Sequence, residues 1–313
     1  MANVIMPQIH EDGMQGRAIG TIGPERLQGV ELLRILAAFG IVAYHAGAPF
    51  RDFAYSGLIV FLLLSPVLDT RFNWERVRPV GTLARKLLLP WVFWMVVYGA
   101  ANWLQHKTIF PGGWTDILYG TSPHLWFLPF MFLVLAVLNM VKPRFPCALF
   151  WLCATAACAL LFTVSVWRPI SLMWAHPFPQ WIHAAPPVFA GIALGLMGKA
   201  GNGKFIALLV FSGALIAADA AFLPGVGIPY TIGIVLTVVT VFWSANIVPD
   251  NWNIHPISAC MMGVYLCHIL VLKIVSATFG ENSYFSVAIT FFVALGAVWA
   301  ARRLFPLSRF VLG

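Results

Sequence analysis

The chain has 313 residues, of which 60% are hydrophobic and only 10% are charged, whereas a soluble domain is about 25% charged. Its net charge of +8 does not point to nucleic acid, because the basic residues sit in short gaps between apolar runs long enough to span a bilayer. The composition excludes a soluble globular protein and predicts one all-α polytopic membrane domain, since in lipid every backbone polar group must find its partner within a helix.

Residues 1–26 are polar and glycine-containing and read as a mobile cytoplasmic tail, with no early apolar region and cleavage site of a removable leader. Residues 27–313 read as the membrane domain. Ten spans are predicted, at 27–49, 53–69, 82–104, 123–141, 146–166, 182–198, 204–222, 227–248, 257–279 and 284–304. An even number puts both termini on one side. With that side cytoplasmic, the cytoplasmic segments hold fourteen Lys and Arg residues, the opposite side holds Arg51, Lys107 and Arg168, and Arg34 and Lys273 lie inside spans. The asymmetry places both termini in the cytoplasm. The outer loops 105–123 and 167–182 carry Trp103, Trp114, Trp167, Trp174 and Trp181, which suit interfacial anchors and also stack on sugar faces. The five cysteines form no CxxC pair and no zinc spacing. They read as buried reduced thiols, and no metal site is expected.

The first span, "GVELLRILAAFGIVAYHAGAPF", carries Glu31, Arg34 and His45. Arg34 and His45 are eleven positions apart, about three helical turns, so both fall on one face with a rise of about 16 Å between them. Glu31 stands one turn before Arg34, where the two can pair. Ionisable side chains at this depth are costly and usually face a cavity or the bundle interior. Arg34 and His45 are therefore the leading catalytic candidates, with Glu31 orienting Arg34.

Three further zones are polar. "TRFNWERVRPVGTLARKLLLPW" gathers Arg76, Arg78, Arg85 and Lys86 on the predicted cytoplasmic side, a plausible cradle for a polyanion, since guanidinium forks suit phosphates. "HLWFLPF" opens the fourth span with His124 and Trp126, at a depth similar to that of His45. "ISACMMGVYLCHILVLK" adds Tyr265, His268 and Lys273. His124, Trp126, Tyr265 and His268 are candidates for substrate contact. The chain has no nucleophile–His–Asp triad order, P-loop, dinucleotide fingerprint or HExxH, so its chemistry must rest on intramembrane imidazole and guanidinium.

"VELLRILAAFGIVAYH", with its Arg–x10–His spacing, resembles the first helix of the family-three membrane acyltransferases. "HLWFLPFMF" resembles their fourth-helix segment, and "SACMMGVYLCHILV" their late tyrosine-leucine-x-histidine segment. The resemblance runs from about Arg26 to about Leu304. It implies about ten transmembrane helices in a bacterial inner membrane. It also implies transfer of an acyl group, most often acetyl from cytoplasmic acetyl-CoA, to a hydroxyl of an exported, cell-surface or lipid-linked glycan. The family's essential arginine and histidine fall on Arg34 and His45. Its usual aspartate is here Glu31, and its Arg-x-x-Arg pair entering the third helix is here "LARKLLLP", with Arg85 beside Lys86. His45 would act as general base or as a transient acyl carrier. A transporter or flippase component with an Arg/His path, and an accessory protein without catalysis, are the other classes that remain open. Such transport folds often contain internal repeats, and none is visible.

Overall fold

Long runs of Leu, Val, Ala and Phe have one favourable arrangement in lipid, the helix, and helices account for the architecture. The computed structural model describes residues 25–110, 113–142, 144–200, 203–219, 223, 225–243, 248–249, 252–280 and 283–313, and among these no strand occurs. The tail expected at 1–26 lies outside the described residues up to position 24. Ten helices of fifteen residues or more are described: α1 (Glu25–His45), α2 (Ser56–Phe72), α3 (Val80–Leu104), α4 (Phe127–Val141), α5 (Pro146–Phe162), α6 (Phe178–Ala200), α7 (Lys204–Asp219), α8 (Gly227–Trp243), α9 (Met261–Phe279) and α10 (Tyr284–Leu304).

A helix stands in each of the ten predicted windows, and among the described residues some of them meet the length and hydropathy of a full crossing. Five segments are long and apolar enough to cross a membrane: Arg51–Phe72, α3, α6, α9 and α10. A sixth arises if α5 and the short helix Val164–Ser171 count together, although they are bent by 78° at Thr163. α4, α7 and α8 are apolar but shorter over their described residues. α1 is long enough, but Glu31, Arg34 and His45 dilute its hydropathy. The bend also changes the expected loop at 167–182. That stretch instead begins in the short helix, and Arg168 is buried rather than lying in an open loop. Cys147 differs too, being exposed, while Cys153, Cys260 and Cys267 are buried and all five thiols are free.

α2 stands at the centre, packed against α1, α6 and α8, while α9 packs on α1 and α10. The windows of α2 and α6 are 67% buried and those of α3 and α10 only 22% and 33%, so the latter pair faces outward. Without a hydrophobic force between helices in lipid, close approach depends on small residues. Gly57 of α2 lies against the Ala37 carbonyl of α1, and Gly195 of α6 lies against Thr70 and the Val67 carbonyl of α2. At both sites a Cβ would collide with backbone or a fixed side chain. Gly57→Ala therefore pushes α1 from α2 and should cost about 1–3 kcal/mol as an overpacking change. Thermal unfolding in detergent should show a lowered midpoint, and an unchanged midpoint would mean that the two helices are not held this closely.

Candidate active site

Two polar groupings mark the two ends of α1. At the N-terminal end, the Arg34 guanidinium donates to both Glu31 oxygens, at 2.9 and 3.2 Å, and the Ser258 hydroxyl donates to the same carboxylate. A segment just before α9 thus fixes the acid that orients Arg34. Across a cavity of about 540 Å³ lined by Glu31, Arg34, Ser65, Asp69 and Arg78, Asp69 accepts two cations. Arg78 lies 3.3 Å from it, and the fully buried Lys142 ammonium bonds to its carboxylate. Lys142 also donates to the Asn73 carbonyl at 3.2 Å. The Asn139 amide donates to the Arg78 carbonyl at 2.9 Å, so the C-terminal turns of α2 and α4 together hold the segment bearing Arg78.

A second cavity, about 300 Å³ and largely apolar, continues from the first. Both are walled by Arg34, Ser65 and Leu135, so Arg34 stands at their junction. Leu87, Met131 and Met262 line the slot, which reaches Tyr265 of α9.

Beyond Tyr265 lies a cluster of three imidazoles. The His268 ring centroid is 5.1 Å from those of His45 and His124, and His45 and His124 are 6.3 Å apart. Their partners set the tautomers, because a carbonyl oxygen can only accept. His268 Nδ1–H donates to the Tyr265 carbonyl at 2.6 Å, which leaves Nε2 as a buried lone pair without a partner among the described residues. His124 Nε2–H donates to the Leu266 carbonyl at 3.3 Å, and its Nδ1 accepts from Ser122 at 3.0 Å. The Tyr265 hydroxyl donates to the His124 carbonyl, and the Tyr98 hydroxyl to the Leu266 carbonyl at 2.8 Å. His124 and His268 are therefore fully buried and held by backbone. His45 is the half-buried member. It lines a third cavity, about 540 Å³, with Arg51 and Lys273. No group of three His, Cys, Asp or Glu side chains among the described residues is arranged to hold a metal ion.

The predicted residues divide accordingly. Glu31 and Arg34 form one end, and His45, His124, Tyr265 and His268 converge at the other. Trp126 is buried against the edges of Phe127 and Phe130. The four cradle candidates have different surroundings. Arg78 lines the cavity, Arg85 lies over the Phe310 ring at 4.3 Å, and Arg76 and Lys86 are exposed. Sequence reasoning missed Asp69 and Lys142, although a lone carboxylate ending the second apolar run was a usable signal. Lys142, counted there as a topology charge, is instead buried in an ion pair.

A polar mouth, a narrow slot and a buried imidazole cluster in one helical bundle are what a membrane-embedded group transferase requires. The family described as an acyltransferase domain, acyltransferase family 3, matches residues 27–302, and the chain belongs to it. Neither a curated protein nor a solved structure matches the chain. The protein is a multi-pass membrane acyltransferase.

Proposed function

We propose that the protein is an O-acetyltransferase of a bacterial cytoplasmic membrane, passing acetyl from cytoplasmic acetyl-CoA to a hydroxyl of an exported, cell-surface or lipid-linked glycan. The observation that carries this reading is the order of the cavities: a polar mouth at Arg34 and Arg78, a narrow apolar slot, then the imidazoles, and a separate opening at His45. On the expected topology the Arg34 end faces the cytoplasm.

Arg34 and Arg78 take the phosphates or the polar head of the donor at the mouth, and the slot suits the thin pantetheine arm. The acceptor enters at His45. A neutral imidazole takes the proton of the attacking hydroxyl as the new C–O bond forms. The thioester C–S bond then breaks, and the proton passes to the departing thiolate. The helical rise of about 16 Å between Arg34 and His45 favours a donor-binding role for Arg34 over one at the reacting carbonyl. His45 as general base is preferred to an acyl-histidine, because the separate slot and His45 cavity allow donor and acceptor to be bound at once.

Sidedness tests the reading. In oriented vesicles carrying acceptor glycan, radiolabelled acetyl-CoA should support transfer when supplied at the Arg34 face and not when supplied only at the His45 face. Equal transfer from both faces, or transfer from the His45 face alone, would overturn the arrangement.

A further inference from the structure

The cavity at the His45 end has a chemistry that acyl transfer alone does not require. It is formed between the turn after α1 and the last turns of α9, and Arg51 and Lys273 stand in its wall beside His45. Among the described residues, none that lines it is a carboxylate. Among the described residues, neither cation takes part in an ion pair. Arg51 rests over the Tyr44 ring at 5.7 Å, a contact with the ring face that consumes none of its N–H donors.

The opposite mouth is built differently. There Arg34 is matched by Glu31, and Arg78 and Lys142 share Asp69. At that end the cations are offset by fixed acids, while at the His45 end two cations face a substrate-sized space with no acid among the described residues of its wall. Such a surface raises the local concentration of anions and rejects other cations.

We propose that the acceptor is an anionic glycan, whose phosphate or carboxylate is bound by Arg51 and Lys273 while a nearby hydroxyl is presented to His45. The inference rests on the acyl-transfer reading of His45 and adds the charge class of the substrate. The anion has two possible sources, an acidic sugar or the phosphate that links a glycan to a lipid. The second source is within reach, because an apolar groove of about 340 Å³ begins at Pro49 and Phe50 in the same turn and runs along Gly40, Gly57 and Leu36.

Ser276 lines the cavity and serves as reporter. The Ser276→Cys protein in lipid nanodiscs is treated with a membrane-impermeant maleimide, and labelling at position 276 is read by peptide mass spectrometry. Oligogalacturonate is one probe, a polyisoprenyl phosphate in the disc lipid is a second, and maltohexaose is the neutral control. At about ten times its dissociation constant, at least one charged probe should slow labelling about tenfold, because protection follows the occupied fraction, and the protection should fade as salt rises. Maltohexaose should protect little. Arg51→Gln with Lys273→Gln should abolish the protection, and Arg51→Lys with Lys273→Arg should retain it. Protection by oligogalacturonate names an acidic sugar, and protection by the polyisoprenyl phosphate alone names a lipid link. The proposal is overturned by equal protection from maltohexaose, by no protection from either charged probe, by salt-insensitive protection, or by protection that survives in the double glutamine variant. No acyl donor is present, so this result and the acetyl-CoA result can fail independently.

Discussion

Replacing His45 by alanine or glutamine abolishes acyl transfer, an expected loss of about 10²–10⁴-fold, the usual contribution of a positioned general base. The fold should survive the change. The ring is half-buried, lines an open cavity, and among the described residues bonds to no carbonyl, unlike its neighbours. His124 gives the contrast. Its ring joins Ser122 to the Leu266 carbonyl across two elements, so His124→Ala should lower the thermal midpoint as well as the rate. Turnover measured beside unfolding in the same detergent separates the two effects. Full activity in either His45 variant removes that side chain from the chemistry, and a collapse of stability equal to that of His124→Ala makes it structural.

Lys142→Met should destabilise the protein by about 3–5 kcal/mol, because it strips a fully buried cation from its carboxylate and leaves Asp69 desolvated beside the half-exposed Arg78. The double change Lys142→Met with Asp69→Asn should recover much of that loss, since replacing both members of a buried pair is far less harmful than removing one. Thermal or denaturant unfolding of the two singles and the double forms a cycle that isolates the coupling. A double variant no more stable than Lys142→Met would mean that the pair does not act as a unit. The single variant should also raise the KM for donor more than it changes kcat, because Asp69 and Asn139 hold the segment that presents Arg78 to the donor mouth.

The helices were legible because their signal is composition over some twenty residues, which tertiary packing cannot reverse. Arg34 and His45 were legible for a related reason, since a charge or an imidazole amid Leu and Ala is costly without a function. Convergence across elements was not legible. Nothing in "HLWFLPF" says that His124 will turn to the Leu266 carbonyl, nor does "GVYLCHIL" say that His268 will sit between two other rings. Those contacts depend on how α1, α3, α4 and α9 pack. The basic stretch Arg76–Lys86 shows a different limit of the sequence. Its density reads as one cradle, yet the start of α3 turns Arg85 toward Phe310 while Arg78 is clipped to α4. The bend at Thr163 was equally hidden, because neither glycine nor proline stands at the break.

The buried rings between the slot and the His45 cavity have a consequence for the cell's energy supply. A catalyst that receives one substrate from each side of a membrane risks becoming a wire for protons. In an energised membrane each charge that slips across gives up about 2.3 kcal/mol per 100 mV. In this protein the partition is made of Tyr98, His124, Tyr265 and His268, and their polar hydrogens are committed to carbonyl oxygens of the chain or to one another's backbone. With these hydrogens bonded to backbone carbonyls, the four side chains cannot pass a proton along by simple reorientation. On the proposed orientation, acetyl can be handed from one side to the other while the membrane keeps its voltage.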